Sequence, residues 1–244
     1  MIAVGKTEWD SLKWTDSSIS TKKDIINKAD IVFVASESPE KFNSAKTKLT
    51  EQSVNDLLLD CSDAHYFSDS QEKDRIGNCF TWIKADPTFK GLKQVLNEPD
   101  ERVFVGEVPD SIRRVQNNQT KVIESIKVQK RLESQLKEKW FNFDLQLNSG
   151  LVAIIGNKGS GKSALADITG LLGNTKKFKA FSFLTPDKFC SPRAGKAQHF
   201  GGKLLWCDSS EREIPTLNAS YENQLKEKVK YIPQSYLEEI CSEV

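Results

Sequence analysis

Residues 151–168 read LVAIIGNKGSGKSALADI and combine an apolar run, a glycine-rich turn and the start of a periodic helix. The run from Leu151 to Ile155 has the length and composition of a buried strand. The turn from Gly156 to Ser163 matches the pattern G-x-x-x-x-G-K-[ST] in full. Apolar residues then recur at helical spacing at Leu165, Ile168, Leu171 and Leu172. The sequence therefore predicts a strand, a loop and a helix, in that order.

The composition of this loop fits the binding of a phosphate chain. Glycines at 156, 159 and 161 let backbone N–H groups wrap closely around phosphate oxygens. Lys162 places a positive charge against the terminal phosphates, the positive end of the following helix adds to it, and the Ser163 hydroxyl can bind Mg²⁺. We expect ATP or GTP with Mg²⁺ as the ligand. The predicted nucleotide-binding residues are Gly156, Asn157, Lys158, Gly159, Ser160, Gly161, Lys162, Ser163 and Ala164.

Composition excludes several other classes of protein. The 244 residues carry a net charge of +1, which gives no overall electrostatic case for a nucleic acid or a membrane surface as partner. The longest apolar runs have five residues, far fewer than the roughly 20 that span a bilayer. The N-terminus lacks the features of a signal peptide, so the five cysteines are expected to be reduced thiols of a cytoplasmic protein.

The distribution of charge divides the chain into two parts. Residues 1–110 hold 14 Lys/Arg and 20 Asp/Glu, whereas the remainder holds 21 and 14. The stretch over 106–121 contains Gly, Pro, Asn and Gln with little apolar periodicity, as is typical of a linker. We therefore expect one domain over 1–110, a linker over 111–120 and a second domain over 121–244.

The first part is expected to be an α/β domain, because helical and strand patterns alternate along it. Predicted helices cover Thr21–Lys28, Pro39–Thr50 and Phe89–Leu96, and predicted strands cover Ala29–Ala35, Val54–Leu59 and Arg102–Val105. In the second part, the stretch from Lys121 to Trp140 fits a strand in its first half and a helix in its second half. We expect a strand followed by a short helix.

Two further segments indicate a subclass of nucleotide-binding protein. Residues 140–150 alternate apolar and polar side chains like an antiparallel strand that turns into the predicted nucleotide strand, and YIPQ stands at 231–234. Together with the loop, these segments resemble ABC-type ATPases, particularly the SMC-like branch. The resemblance implies that Gln234 completes the Mg²⁺ shell and senses the γ-phosphate. Without the resemblance, an ordinary strand followed by a proline turn explains YIPQ as well as a nucleotide-sensing role does.

A second site is suggested by Asp63 and His65, which follow a predicted strand two residues apart. A carboxylate and an imidazole at this spacing could bind one metal ion, although a lone D-x-H is more often structural. The wider context, CSDAH at 61–65, RIGNCFTWIKADPTFKGL at 75–92 and the loop at 156–163, resembles the TrlF family of AAA-like ATPases. In that family a PHP phosphoesterase domain is fused to an SMC-like ATPase.

This resemblance implies an α/β fold: the C-terminal part of a PHP-type domain, then the first lobe of an ABC/SMC-like P-loop NTPase with a β-rich insertion. Asp63 and His65 would be the last metal motif of the PHP domain, with Zn or Mn as its metal. The earlier H-x-H motif, the LSGG-like signature and the Walker B strand are not found, so the sequence is expected to be an internal part of a longer protein. It would bind ATP without efficient turnover. The intact protein is expected to be an ATP-hydrolysing homodimer that processes nucleic acid.

Two alternative functions remain open at this point. The phosphoesterase could define the function, with the nucleotide site as its regulator. Alternatively, a non-catalytic module could bind nucleic acid through the basic stretch over 174–203, in which Asp187 is the single acid. Ordinary solvated lysines around phenylalanines explain this stretch more readily. Its basic residues are Lys176, Lys177, Lys179, Lys188, Arg193, Lys196 and Lys203.

Overall fold

The computed structural model describes residues 1–5, 12–36, 38–138, 140–193, 195–233 and 236. The chain divides into two compact units, Met1–Asp110 and Ser111–Val244. Each unit contains both helices and strands, so the protein is a mixed α/β protein, as expected from the sequence. No helix of the described residues is long and apolar enough to cross a membrane.

The first unit is built on a small parallel sheet with the strand order β1-β2-β3. Val4 of β1 lies beside Val32 of β2, and Val32 lies beside Leu58 of β3. Two further strands, β4 and β5, form a separate antiparallel pair. The strands are β1 (Ala3–Gly5), β2 (Ile31–Val34), β3 (Leu58–Asp60), β4 (Thr81–Ile83) and β5 (Val103–Val105). The helices are α1 (Ile19–Lys28), α2 (Pro39–Glu51), α3 (Phe89–Gln94) and α4 (Pro99–Arg102).

Local signals explain where these helices begin. The Ser38 side chain accepts a hydrogen bond from the Lys41 N–H at 3.3 Å, and Pro39 occupies the first turn of α2. Thr88 caps α3 in the same way, accepting from the Gly91 N–H at 3.0 Å. Helices α1 and α2 bury apolar side chains against the sheet. The core consists of Ile26, Val32, Val34, Phe42, Leu49, Val54 and Leu58.

The second unit is built on an antiparallel sheet with the strand order β7-β6-β8-β9 and one long helix, α6. Strand β8 alternates between a buried and a half-buried face, as expected for a sheet with one covered side. Helix α6 packs on β8 and β9. The elements are α5 (Asp110–Asn117), β6 (Ile123–Lys130), β7 (Phe143–Gln146), α6 (Lys162–Leu172), β8 (Phe200–Trp206) and β9 (Glu211–Ile214), with single 3₁₀ turns at Gln119–Lys121, Phe178–Ala180 and Ala197–His199.

The expected strand over Leu151–Ile155 is wrong. These residues are not in a strand, and Leu151 and Ile155 are 97% and 90% exposed. An apolar strand of this type is stable only between neighbouring strands and under covering side chains. In the described part of the chain, no strand pairs with this run.

Four other sequence expectations need correction. The stretch over 111–120 contains α5 and a 3₁₀ turn instead of an irregular linker, and the strand expected from Val54 begins only at Leu58. The expected helix after β6 does not form among residues 131–138. There the Ser134 hydroxyl accepts from the Leu136 N–H at 3.3 Å, and such local hydrogen bonds compete with a helix. The basic stretch is also not β-rich before Phe200, because it consists mainly of turns.

Candidate functional site

The glycine-rich loop leads directly into α6, as expected from the sequence. Gly161 stands immediately before the helix at φ +92°, and Gly159 has φ +85°. Both values lie in the left-handed region that glycine adopts without steric cost. The Lys162 Nζ donates hydrogen bonds to the carbonyl oxygens of Gly156 at 2.7 Å and Asn157 at 2.9 Å. The Lys162 ammonium group is therefore folded back over the loop that precedes α6.

The first turn of α6 provides the features that an anion needs. The N–H groups at the start of a helix lack intrahelical partners, and the helix dipole is positive there. Ser163 is exposed in this turn, whereas Ala164 is buried beneath it. The loop residues Asn157, Lys158 and Ser160 are exposed as well. The Ser163 hydroxyl fits Mg²⁺, which prefers oxygen ligands and is commonly held by one protein oxygen together with phosphate oxygens.

A cavity of about 860 Å³ opens beside this loop. Gly159, Ser160, Gly161 and Lys162 form one wall. The other lining residues are mainly apolar and are Trp140, Phe141, Phe143, Leu145, Ile154, Ile155, Leu165, Phe183 and Phe189, together with Lys188 and Lys196. The volume lies within the usual range for small-molecule sites, and such sites are typically apolar with a few polar groups.

The aromatic side of the cavity is an interlocked cluster. The Phe183 and Phe189 rings stack, with centroids 4.7 Å apart and an interplanar angle of 29°. The Phe141 ring meets both of them edge-on, with centroids 5.6 Å away. A Cβ added to Gly161 would lie 3.8 Å from the Phe141 ring, so this ring lies directly against the loop. The aromatic cluster and the glycine-rich loop therefore line the same cavity.

Two lysines of the basic stretch belong to this cavity. The Lys196 Nζ lies 4.2 Å from the centroid of the Trp140 ring, in a cation–π arrangement. The Lys188 Nζ donates to the Ser182 carbonyl oxygen at 2.6 Å. In contrast, Lys203 forms an ion pair with Glu211 on the sheet. The lysines of the basic stretch therefore do not form one surface: Lys188 and Lys196 line the cavity, and Lys203 lies on the sheet.

A buried aspartate of α6 was not singled out by the sequence analysis. The Asp167 side chain is 0% exposed. Its Oδ2 accepts from the N–H groups of Ser182 at 2.9 Å, Phe183 at 2.7 Å and Leu184 at 3.1 Å, and its Oδ1 accepts from the Tyr231 hydroxyl at 2.6 Å. Burial and the hydrogen bond to Asp167 raise the pKa of Tyr231 well above its ordinary value. The only signal in the sequence is a single acid within an apolar helix.

The other residue predicted to sense the nucleotide, Gln234, lies outside the described residues. Nearby, Tyr231 packs edge-on against Phe181 at a centroid distance of 5.1 Å. Residues 231–233 have no regular secondary structure. The role of Gln234 stays a prediction.

Asp63 and His65 follow β3 and are both exposed. Asp63 has φ +46°, and the His65 N–H donates to the Asp74 carbonyl oxygen at 2.7 Å. Within the described ranges, no group of three or more His, Cys, Asp or Glu side chains is placed to hold a metal ion. The role of Asp63 and His65 as Zn or Mn ligands stays a prediction.

A neighbouring carboxylate, Asp60, has a structural role. It ends β3 and is 3% exposed. Its Oδ1 accepts from the Ser36 N–H at 2.7 Å, and its Oδ2 accepts from the Phe80 N–H at 2.8 Å. Asp60 therefore connects the loops that follow β2 and precede β4.

The aromatic residues of the cavity were also missed as site residues. Phe141, Phe183 and Phe189 come from separate parts of the chain, and their sequence neighbourhoods carry no ligand-binding pattern.

Comparison with protein-family models, with curated proteins and with solved structures found no match for this chain.

Proposed function

We propose that the second unit binds a nucleoside triphosphate with Mg²⁺, with ATP as the expected ligand. One observation carries this proposal: the glycine-rich loop and the aromatic cluster line the same cavity. Phosphates need the positive helix end, convergent N–H groups and a lysine, which the loop and the start of α6 provide. A nucleobase needs a flat apolar surface, and aromatic rings stack on bases of any sequence.

The individual residues have distinct tasks in this proposal. Lys162 leaves the carbonyl oxygens of Gly156 and Asn157 and pairs with the terminal phosphates. Ser163 holds Mg²⁺, which neutralises phosphate charge when it is bound. The half-buried rings of Phe141 and Phe183 take the base, and Phe189, which is 5% exposed, supports them by stacking on Phe183. An ATPase activity, a dimer and the phosphoesterase of the first unit belong to the family resemblance and go beyond what this cavity supports.

Replacing Lys162 tests the proposal directly. We expect Lys162→Ala to weaken the binding of MgATP by about 10- to 100-fold, because one charge-assisted contact to phosphate is lost. Isothermal titration calorimetry of the 244-residue chain measures this effect. Lys226→Ala is the matched control, since Lys226 is exposed and does not line the cavity. Equal affinities in wild type and Lys162→Ala would contradict the proposal.

A further inference from the structure

The carboxylate of Asp167 connects helix α6 to the segment that carries Phe183. Helix α6 carries Lys162 at its first position and Asp167 on a buried face. Among the described residues, the four hydrogen-bond donors of Asp167 come from outside the helix: three N–H groups of residues 182–184 and the Tyr231 hydroxyl. Asp167 therefore fastens two other segments of the unit to the helix that begins at the phosphate loop.

One of these segments forms the aromatic wall of the cavity. Phe183 donates its N–H to Asp167 at 2.7 Å, and its ring stacks on Phe189. The carbonyl oxygen of the adjacent Ser182 accepts from the Lys188 Nζ. Phe183, Lys188 and Phe189 all line the cavity. The Asp167 carboxylate thus ties the backbone at Phe183 to the helix that begins at the phosphate loop.

The second segment keeps the carboxylate oriented. A Tyr231 hydroxyl that retains its proton can donate to Oδ1, which leaves Oδ2 turned toward the three N–H groups. Apolar packing alone would be a less costly way to hold the helix, since a buried carboxylate loses its hydration. Satisfied buried polar networks fix one geometry among several of similar packing. This cost suggests that precise placement of the wall matters.

We propose that Asp167 and Tyr231 are positioning residues that hold the Phe183 wall at the correct distance from the phosphate loop for a nucleoside to fit. The inference rests on the proposed function, because it assigns the aromatic wall to the base. Neither residue contacts the ligand in this arrangement. Their removal should impair recognition of the nucleoside while the phosphate loop remains competent.

The decisive variant is Tyr231→Phe, which keeps the ring against Phe181 and removes only the hydroxyl. We expect its dissociation constant for MgATP to rise about fivefold or more, as is typical of coupling between a distant contact and a site. Its affinity for inorganic tripolyphosphate, which has no base, should stay within about twofold of wild type. Calorimetric titration of the 244-residue chain with both ligands measures this selectivity.

Two more variants complete the experiment. Tyr221→Phe is the matched control, because Tyr221 stacks on Phe178 away from the cavity; it should change neither affinity. Asp167→Asn should show the same selective loss, and a thermal melt records whether it still folds. Equal weakening of both ligands by Tyr231→Phe would show a general structural role and overturn the inference, as would unchanged affinities. Wild-type protein that binds neither ligand would overturn the proposed function and this inference together.

Discussion

The two flanks of the phosphate loop differ sharply, although both are apolar in sequence. On the C-terminal side, α6 buries Ile168, Leu171 and Leu172 against the sheet. On the N-terminal side, the run over 151–155 is exposed and unpaired with any strand of the described chain. A helix satisfies its backbone hydrogen bonds internally and needs only one covered face, whereas a strand depends on its neighbours. The comparison shows that the sequence around the loop is sufficient for the helix that follows it. A strand before the loop would need neighbouring strands as well.

Matched leucine truncations give the largest expected contrast. Leu172→Ala should lower the free energy of unfolding by about 2–5 kcal/mol, because Leu172 is fully buried and its loss leaves a cavity. Leu151→Ala removes the same atoms from an exposed site and should change it by less than about 0.5 kcal/mol. Urea denaturation followed by circular dichroism measures both. A destabilisation of similar size at Leu151 would mean that the run is buried in solution.

A smaller effect is expected from the C-terminal end of α6. A Cβ at Gly173 would overlap the Cβ and Cγ2 of Val229, although the backbone there, at φ −83°, tolerates any residue. Gly173→Ala should therefore cost about 1–3 kcal/mol through overpacking alone. The same denaturation assay applies. Unchanged stability would show that the segment around Val229 does not pack on the helix.

The smallest effect concerns a surface carboxylate beside this helix end. Glu227 accepts from the Lys176 N–H at 2.8 Å and from the Thr175 hydroxyl at 3.1 Å, and these contacts lower its pKa below the ordinary 4.5. A lowered folded-state pKa stabilises the fold above the unfolded pKa, and this stabilisation is lost as the pH falls through the folded pKa. Below about pH 4.5, wild type should therefore lose stability more steeply than Glu227→Gln. Parallel acid-titration profiles would refute this prediction.

Features with local causes could be predicted from the sequence. Helix α2 was predicted because its start is marked by two adjacent residues, the capping Ser38 and Pro39 in the first turn. The loop and α6 were predicted for the same reason, since their glycines and apolar spacing lie within one short stretch. The start of β3 was predicted less accurately, at Val54 instead of Leu58. This strand is defined by pairing with a distant segment, β2.

The features that sequence reasoning missed depend on long-range contacts. The aromatic wall joins Phe141, which precedes β7, to Phe183, which follows α6, and no local pattern connects them. Asp167 is visible in the sequence as an isolated acid, yet its partners at 182–184 and 231 become neighbours only in the fold. The glycine-rich loop, which we propose binds phosphate, can therefore be recognised in the sequence, whereas the aromatic cluster that we propose for the base cannot.

Under the proposed function, the folded position of Lys162 makes nucleotide binding an exchange reaction. Its ammonium group already has two hydrogen bonds, to the carbonyl oxygens of Gly156 and Asn157, and a phosphate must replace them. The net gain is the difference between charge-assisted contacts to phosphate and these neutral-acceptor contacts. A weakly charged ligand gains little from this exchange, whereas a polyphosphate gains much. Under the proposed function, the carbonyl oxygens of Gly156 and Asn157 thus compete with phosphate for the lysine, which favours highly charged ligands over weakly charged ones.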